Sequence, residues 1–266
     1  MNDKVIVITG ASAGIGAALA EVVAARGAKG VVLAARRQDE LAVVATRVGG
    51  NALAVVTDVT RRGDIEQLRD RALERFGQID VWISNAGRGI TRSVTELTDA
   101  DLDDMITTNV KSVLYGIQAV MPHFRARGTG HLITVSSMLG RISMAPIRSA
   151  YSAAKSAVNS LMTSLRLELK GEFPQIHVST VMPGVVATSF GSNALHGGPD
   201  SRMMPSAQPV GEVAQAIANL IEHPRAELYT RPELAALAAR YFSAEDVAAI
   251  ESGPPFTTMP RTTPRR

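Results

Sequence analysis

The sequence predicts an α/β fold in which helices flank a single doubly wound parallel sheet of about seven strands. Short apolar runs rich in β-branched residues alternate along the chain with longer amphipathic segments, as they do in β-α-β units. Glycine, asparagine and charged residues follow the ends of these runs. Because the ligands of such sheets lie at the carboxyl ends of the strands, these positions predict a binding site there.

Composition excludes several other classes of protein. The chain has 266 residues, 45% hydrophobic and 20% charged, which is ordinary for a globular domain with one sizeable core. It has no cysteine, and its five histidines show no paired ligand spacing, so we expect neither a disulfide nor a metal site. No apolar run approaches the length of a membrane span, and the first residues do not resemble a signal peptide. We therefore expect a cytoplasmic protein without a membrane partner.

The end of the chain carries the basic charge. Arg261, Arg265 and Arg266 match the net charge of +3, and no acid follows Ser252, so the rest of the chain is near neutral. No basic stripe is interleaved with aromatic residues, and we expect no nucleic-acid partner. Residues 253–266 have little to bury and predict a disordered tail, which leaves residues 1–252 as a single domain.

The first predicted unit is a strand, a glycine loop and a helix. Lys4 to Thr9 is an apolar run typical of a buried strand, and Ala17 to Arg26 has a helical pattern that ends before Gly27. Glycines between them let the backbone approach a pyrophosphate closely, and the helix N-terminus favours the anion. The alternative is a plain glycine-rich turn. The candidate cofactor residues of this loop are Gly10, Ser12, Gly14, Ile15 and Gly16.

Two arginines follow the second predicted strand, Gly30 to Ala34. No acid that would bind a ribose 2′-hydroxyl occurs there before Asp39, whereas Arg36 and Arg37 suit a 2′-phosphate. The alternative is that the two arginines are solvent-exposed residues at the start of a helix. We expect NADP(H) in preference to NAD(H), with Arg36 the favoured contact.

The remaining elements continue the alternation. Further strands are predicted at 51–56, 80–84, 131–135, 176–181 and 226–229. Further helices are predicted at 40–48, 61–76, 101 to about 127, about 150 to 170, 209–222, 233–241 and 244–251. Asp58 and Val59 follow the third strand, Asn85-Ala86-Gly87 follows the fourth, and Pro183-Gly184 follows the sixth, all at the ends where a ligand would lie.

Tyr151 and Lys155 are the candidate catalytic pair. Four residues apart on a helix, they lie on one face, one turn from each other. An ammonium beside the phenol lowers the tyrosine pKa from its free value near ~10, which makes a proton donor or acceptor. The alternative is a surface tyrosine beside a solvated lysine. Asn109 falls in the middle of a predicted helix, where asparagine is mildly unfavourable, so a polar role inside the protein is plausible.

The motifs T-G-x3-G-I-G, N-A-G, S-x(n)-Y-x3-K and P-G, in this order, resemble those of the short-chain dehydrogenase/reductase family over residues 4–229. The resemblance implies an NAD(P)-binding Rossmann-type domain. It implies that Tyr151 is the general acid in reduction, that Lys155 lowers its pKa and holds the nicotinamide ribose, and that Ser137 steadies the carbonyl oxygen. It also implies that Asn109 holds a water in a proton relay.

The resemblance extends to the cofactor site. It implies that Asp58 contacts the adenine, that Asn85 to Gly87 borders the ribose groups, and that Val186 and Thr188 hold the carboxamide. The full expected cofactor set is Gly10, Ser12, Gly14, Ile15, Gly16, Arg36, Arg37, Asp58, Val59, Asn85, Ala86, Gly87, Tyr151, Lys155, Pro183, Gly184, Val186 and Thr188.

Two positions depart from the family pattern. Tyr151 lies fourteen residues after Ser137, one more than expected, so Ser136 remains an alternative. Side chains alternate along a strand, so only one of the two serines can face a substrate, and Ser137-Met-Leu-Gly140 matches the family's S-x-x-G. Ala13 stands where many NADP-using members carry a basic residue.

Residues 189–207 occupy the family's position for a substrate loop, which we call the substrate loop; the alternative is a disordered segment. Met203 and Met204 of this loop are expected to form an adaptable apolar wall. Further candidate pocket residues, with core packing as the alternative, are Met138, Leu139 and Met144. This apolar character suggests a hydrophobic or aromatic carbonyl substrate.

The sequence thus predicts an NADP(H)-dependent oxidoreductase that interconverts a ketone or aldehyde and an alcohol. One alternative is reduction of a 3-oxoacyl thioester at the same site, and another is a non-enzymatic dinucleotide-sensing protein. Family members are usually homotetramers or homodimers, joined through the helices that carry Asn109 and Tyr151.

Overall fold

The computed structural model describes residues 1–256, which form one seven-stranded sheet with helices on both faces. The strands are Val5–Thr9 (β1), Gly30–Ala35 (β2), Ala52–Val56 (β3), Val81–Ser84 (β4), Gly130–Val135 (β5), Ile176–Met182 (β6) and Glu227–Tyr229 (β7). The helices are Gly14–Ala25 (α1), Gln38–Val48 (α2), Arg62–Phe76 (α3), Asp99–Ile106 (α4), Ser112–Arg127 (α5), Ser149–Leu169 (α6), Val210–Glu222 (α7), Pro232–Phe242 (α8) and Val247–Glu251 (α9).

All strand pairs are parallel, in the spatial order β3-β2-β1-β4-β5-β6-β7. The chain runs outward from β1 to β3 and then returns to place β4 on the other side of β1. The crossovers on the two sides of this point therefore diverge, and they leave a crevice beyond the carboxyl ends of β1 and β4. The predicted doubly wound parallel fold is confirmed.

Two apolar cores sandwich the sheet. Helices α1, α2 and α7 cover one face, and α3, α5 and α6 cover the other. Every residue of β1, β2, β4 and β5 is buried, which explains why these strands are continuous apolar runs without alternation. Burial on both faces fixes where each strand ends, and hence where the loops that follow them meet.

The predicted helix from 101 to about 127 is wrong as a single helix. Thr98 and Asp101 form a capping box that starts α4 at Asp99, and a π-helical turn, Thr107–Lys111, separates α4 from α5. Asn109 lies in this turn, and its Nδ2 donates to the carbonyl of Met105, four residues earlier, at 3.1 Å. Because the side chain takes an acceptor that an α-helix gives to the backbone N–H, the backbone widens locally.

Helix α8 packs on β7 and on the segment that follows β5. Ala238 of α8 is buried against Met138 and Ile142, and the ring of Phe256 stacks on Tyr241 at 5.8 Å. The predicted disordered tail, 253–266, lies outside the described residues from 257 onward, and residues 253–256 form a turn.

Among residues 1–256, no helix is long and apolar enough to cross a bilayer. Over the same residues, no group of three histidine, aspartate or glutamate side chains is arranged to hold a metal ion.

Gly116 of α5 tests the packing of this helix against the sheet. A Cβ at this position would lie 2.5 Å from Trp82 Nε1, and Trp82 is fully buried in β4. Gly211 of α7, by contrast, has open space around its Cβ position. Alanine gains helix propensity at both sites, so the difference between the two variants isolates the clash. We expect G116A to be less stable than G211A by about 1–3 kcal/mol in urea unfolding. Equal stability of the two variants would show that α5 does not pack on Trp82 in this way.

Candidate active site

A single cleft of about 930 Å³ runs along the carboxyl ends of the strands. Its walls come from the loops after β1 to β6 and from the start of α6. The structure brings together in this cleft the following predicted residues: Gly10, Ser12, Gly14, Ile15, Arg36, Arg37, Asp58, Val59, Asn85, Ala86, Gly87, Ser137, Tyr151, Lys155, Pro183, Gly184, Val186 and Thr188. Gly16 and Asn109 lie behind its surface instead.

The glycine loop leaves no space for side chains. Gly10 and Gly14 have φ values of +67° and +56°, a left-handed region that favours glycine. A Cβ on Gly10 would lie 2.9 Å from the Cα of Ala86, and one on Gly16 would lie 2.4 Å from the carbonyl oxygen of Gly10. The backbone of the loop is therefore exposed at the cleft, where a ligand can approach it closely.

The end of β4 holds the glycine loop in place. Asn85 Nδ2 donates to the carbonyl oxygens of Thr9 at 2.9 Å and Gly10 at 3.3 Å. In return, Thr9 Oγ1 accepts from the backbone N–H groups of Asn85 at 3.0 Å and Ala86 at 3.1 Å. Asn85 thus fixes the backbone of the loop from behind.

The N-terminus of α1 opens into the cleft. Its cap, Ala13, provides no side-chain acceptor, and its first turn contains no acid. The N–H groups of this turn are therefore available to an anion, with the helix dipole in its favour. The methyl group of Thr188, from the loop after β6, lies 3.3 Å from the Cβ position of Gly14 and closes the cleft on the other side.

Two arginines and an aspartate surround the end of β2. Arg37 donates to Ser12 Oγ at 2.9 Å and pairs with Glu40 at 3.1 Å. Burial raises the pKa of Asp58, but hydrogen bonds from Thr60 and the charges of Arg36 and Arg61 outweigh it, so its net pKa is lowered. Asp58 is therefore ionised at neutral pH.

Tyr151 and Lys155 lie on one face of α6, as predicted, and both are buried. Lys155 Nζ donates to the carbonyl oxygen of Val135 at 2.9 Å and lies 5.7 Å from the centre of the Tyr151 ring. Burial lowers the pKa of Lys155 to about 8.

The predicted lowering of the Tyr151 pKa is wrong for this structure. Burial raises the pKa of Tyr151 to about 12, while a hydrogen bond with Ser137 and the charge of Arg148 act in the lowering direction. Desolvation outweighs both because the phenolate loses more hydration than these neighbours replace.

The two candidate serines face different partners. Ser136 Oγ donates to the backbone carbonyl of Lys155 at 3.4 Å and so points at α6. Ser137 Oγ accepts from Leu139 N at 3.1 Å and lies beside the Tyr151 hydroxyl. The geometry favours Ser137 over Ser136 as the serine that meets a substrate.

Asn109 is fully buried behind the cleft. Its Nδ2 donates to the carbonyl of Arg88 at 3.0 Å, and its Oδ1 accepts from Arg88 N at 3.1 Å. A Cβ on Gly87 would lie 2.9 Å from Asn109 Oδ1 and 3.5 Å from Lys155 Nζ, so both groups face this glycine. Asn109 fixes the backbone that separates it from Lys155.

The substrate loop is tied to the loop after β4 and to α4. Leu195 exchanges backbone hydrogen bonds with Gly89 at 2.8 Å and Thr91 at 2.9 Å, and His196 Nε2 lies 2.7 Å from an Asp101 oxygen. Met204 lines the cleft, but Met203 is 82% exposed, so the prediction that both methionines form the wall is wrong for Met203.

Some cleft residues were not predicted from the sequence. Phe190 places its ring 5.5 Å from that of Tyr151, and Leu234 reaches the cleft from α8. Arg148 directly precedes α6, three residues before Tyr151, and lines the cleft. The i, i+3 spacing to Tyr151 was a signal for Arg148; no local signal marks the other two.

Comparisons with known proteins agree with this site. The profile of the short chain dehydrogenase family matches residues 4–197. An uncharacterized oxidoreductase of Listeria innocua is 40% identical over 193 residues, which cover 71% of this chain and 77% of the relative.

Two solved structures are similar in fold. A short-chain dehydrogenase/reductase of Burkholderia phymatum in complex with NAD has a TM-score of 0.82 at 26% identity, covering 90% of this chain and 92% of the other. An alcohol dehydrogenase of the archaeon Thermococcus sibiricus, complexed with 5-hydroxy-NADP, has a TM-score of 0.74 at 29% identity, covering 85% and 95%.

The family match extends over most of the chain and includes the glycine loop, the end of β4 and the Tyr151–Lys155 pair. The alternative of a non-enzymatic protein is therefore not retained. This chain belongs to the short-chain dehydrogenase/reductase family and is an NAD(P)-dependent oxidoreductase that acts on CH–OH groups.

Proposed function

We propose that this enzyme interconverts a ketone or aldehyde and an alcohol with NADP(H), using Tyr151 as the proton donor in reduction. The observation that carries the proposal is the convergence of Tyr151, Ser137 and Lys155 in one cleft with a glycine loop that exposes its backbone. A proton donor, an oxyanion partner and a cation then surround the place where a carbonyl oxygen would lie.

The cleft fits a dinucleotide. The close approach of Gly10 to Ala86 and the open N-terminus of α1 form a cradle for a pyrophosphate. We propose that Val186 and Thr188, on the opposite wall, hold the carboxamide, and that Pro183 and Gly184 border the nicotinamide.

The charges at the end of β2 support NADP(H) in preference to NAD(H). Arg36 and Arg37 both line the cleft there, and Arg37 donates to Ser12 of the glycine loop. Guanidinium groups bind phosphate through bidentate, charge-assisted hydrogen bonds. The negative charge of Asp58 lies nearby, and we propose that it faces the adenine.

When bound, the nicotinamide supplies a hydride to the carbonyl carbon. The Tyr151 hydroxyl gives its proton to the carbonyl oxygen, and the Ser137 hydroxyl hydrogen-bonds that oxygen as charge develops on it. The Lys155 ammonium adds a positive charge close to Tyr151 and assists the transfer electrostatically. Asn109 positions the backbone beside Lys155.

The pKa of Tyr151 supports the direction of reduction. A pKa of about 12 keeps the Tyr151 hydroxyl protonated throughout the physiological pH range, so the hydroxyl always has a proton to donate. The substrate loop closes the cleft above it, and Phe190 covers the tyrosine ring, which limits access of water.

We also propose a homodimer or homotetramer and a cytoplasmic location. Leu161 and Leu167 of α6 expose 37% and 64% of their surface, and we propose that these apolar side chains lie at the contact with a second copy.

Replacing Tyr151 with phenylalanine tests the proton donor. The ring and its packing remain, so we expect Y151F to bind NADPH nearly as the parent does and to lose about 10²–10⁴-fold in kcat, the usual contribution of a general acid. The matched control is Y115F, since Tyr115 lies on α5 under Arg62 and away from the cleft. Turnover of Y151F close to that of Y115F would exclude Tyr151 as the donor.

Replacing Arg36 with aspartate tests the preference for NADP(H). Loss of the charge-assisted contact weakens NADPH binding by about 10- to 100-fold, with a much smaller effect on NADH, as followed by nicotinamide fluorescence. R71D is the control, because Arg71 is an exposed arginine of α3 outside the cleft. If the NADPH-to-NADH ratio does not change in R36D, the phosphate is bound elsewhere.

The pH profile tests the role of Lys155. Because its pKa is lowered to about 8, the ammonium is present below pH 8 and is lost as the pH rises through that value. We expect kcat/KM for carbonyl reduction to be level at low pH and to fall about tenfold per unit above pH 8. NADPH affinity measured over the same range separates an effect on cofactor binding from an effect on turnover. A profile that stays level to pH 10 contradicts a role for the ammonium.

A further inference from the structure

Arg148 is a partly buried cation near the reacting end of the cleft. Its guanidinium lies beneath the substrate loop, where Nη1 donates to the carbonyl of Ile90 at 3.1 Å. A Cβ on Gly89 would lie 3.2 Å from Nη1, and one on Gly198 would lie 2.9 Å from Nη2. The carbonyl of Ile90 therefore holds the group, and the absence of side chains at Gly89 and Gly198 leaves room for it.

No carboxylate among the described residues forms an ion pair with Arg148. Over residues 1–256, none of the ion pairs involves Arg148, whereas its neighbour in space, Arg92, pairs with Asp101 at 2.9 Å. A guanidinium that loses water without gaining an anion is unfavourable. Burial accordingly lowers the pKa of Arg148. An anion that bound beside Arg148 would therefore offset this cost of desolvation.

The charged residues that line the cleft also favour an anionic ligand. Its cationic residues are Arg36, Arg37, Arg88, Arg148, Lys155 and Arg231. Among the described residues, its one carboxylate is Asp58, which lies beyond β3 and is already held by Thr60. The part of the cleft around Tyr151 and the substrate loop therefore combines positive charge with no acid.

We propose that the substrate carries a carboxylate that pairs with Arg148, so that the cleft takes oxo acids and their hydroxy acids. This inference rests on the proposed function, since it assigns the substrate class of the same site. The planar guanidinium suits a carboxylate because the two form parallel hydrogen bonds. The apolar body of such a substrate would pack on Met144, Phe190 and Leu234, which also line the cleft.

The pairing also gives Arg148 a role in orientation. Arg148 and Tyr151 are one helical turn apart at the start of α6, so a substrate held at both ends has its carbonyl oxygen directed to the tyrosine. The opposing interpretation is that Arg148 only fastens the loops that cover it, through its hydrogen bond to the carbonyl of Ile90. The two differ in one respect: only the first discriminates an acid from its ester.

The test compares matched acids and methyl esters as substrates. The pairs are 2-oxo-2-phenylacetate and 4-oxo-4-phenylbutanoate with their methyl esters, with NADPH oxidation as the readout. For the parent enzyme we expect kcat/KM to be at least about tenfold higher for the acid of one pair, because charge-assisted hydrogen bonds are lost in the ester. Equal or faster turnover of both esters overturns the inference and leaves the proposed reductase function intact.

Substitution of Arg148 localises the effect. In R148M, we expect the acid-to-ester ratio to fall by about 10- to 100-fold, mainly through KM, while R148K, which keeps the charge, retains part of the preference. R71M is the control for loss of an arginine elsewhere. If R148M lowers both rates equally and keeps the ratio, Arg148 only fastens the loop and the inference is wrong.

A binding assay separates failure of this inference from failure of the proposed function. 3-Phenylpropanoate carries the carboxylate but no carbonyl, and its binding to the enzyme–NADPH complex is followed by nicotinamide fluorescence. If no carbonyl compound is reduced, the proposed function fails, yet saturable binding that weakens in R148M still supports an anion site at Arg148. Absence of binding by the parent, or equal binding by R148M, overturns that site.

Discussion

The candidate active site depends on the attachment of α6 to the end of β5. Lys155 Nζ donates to the carbonyl of Val135. The next residue, Ser156, and Asn159, one turn after Lys155, both donate to the carbonyl of Gly140, at 2.9 Å and 3.0 Å. A Cβ on Gly140 would lie 2.8 Å from the backbone of α6, so no larger residue permits this approach. The attachment fixes the serine segment after β5 against the helix that carries Tyr151.

This close packing also determines the protonation states. It excludes water from both members of the pair, so burial favours the neutral form of each: the pKa of Tyr151 rises to about 12 and that of Lys155 falls to about 8. A protonated phenol is the state that donation of a proton to a carbonyl requires, and a pKa of about 8 leaves the Lys155 ammonium charged at neutral pH. The sequence indicates the pair itself, but the direction of the Tyr151 shift depends on burial, which a spacing of four residues does not reveal.

The fold was largely predictable because its signals are local. Apolar runs predicted the strands, and glycines that follow helical patterns predicted where helices end. The glycine loop predicted the edge of the sheet where the loops meet. The π-helical turn at Asn109 was not predictable, since it arises when a side chain takes a backbone acceptor within the turn. Contacts between segments that are distant in sequence were not predictable either. Phe190 meets Tyr151, and Arg148 meets Gly198, only after the substrate loop has folded over α6.

We propose that one cleft binds the dinucleotide and presents its nicotinamide to Tyr151. The most direct measurement is a crystal structure of the purified protein grown with NADP⁺. We expect a pyrophosphate at the glycine loop, a 2′-phosphate beside Arg36 and a nicotinamide next to Tyr151. Density for the dinucleotide outside this cleft, or a nicotinamide remote from Tyr151, would contradict it.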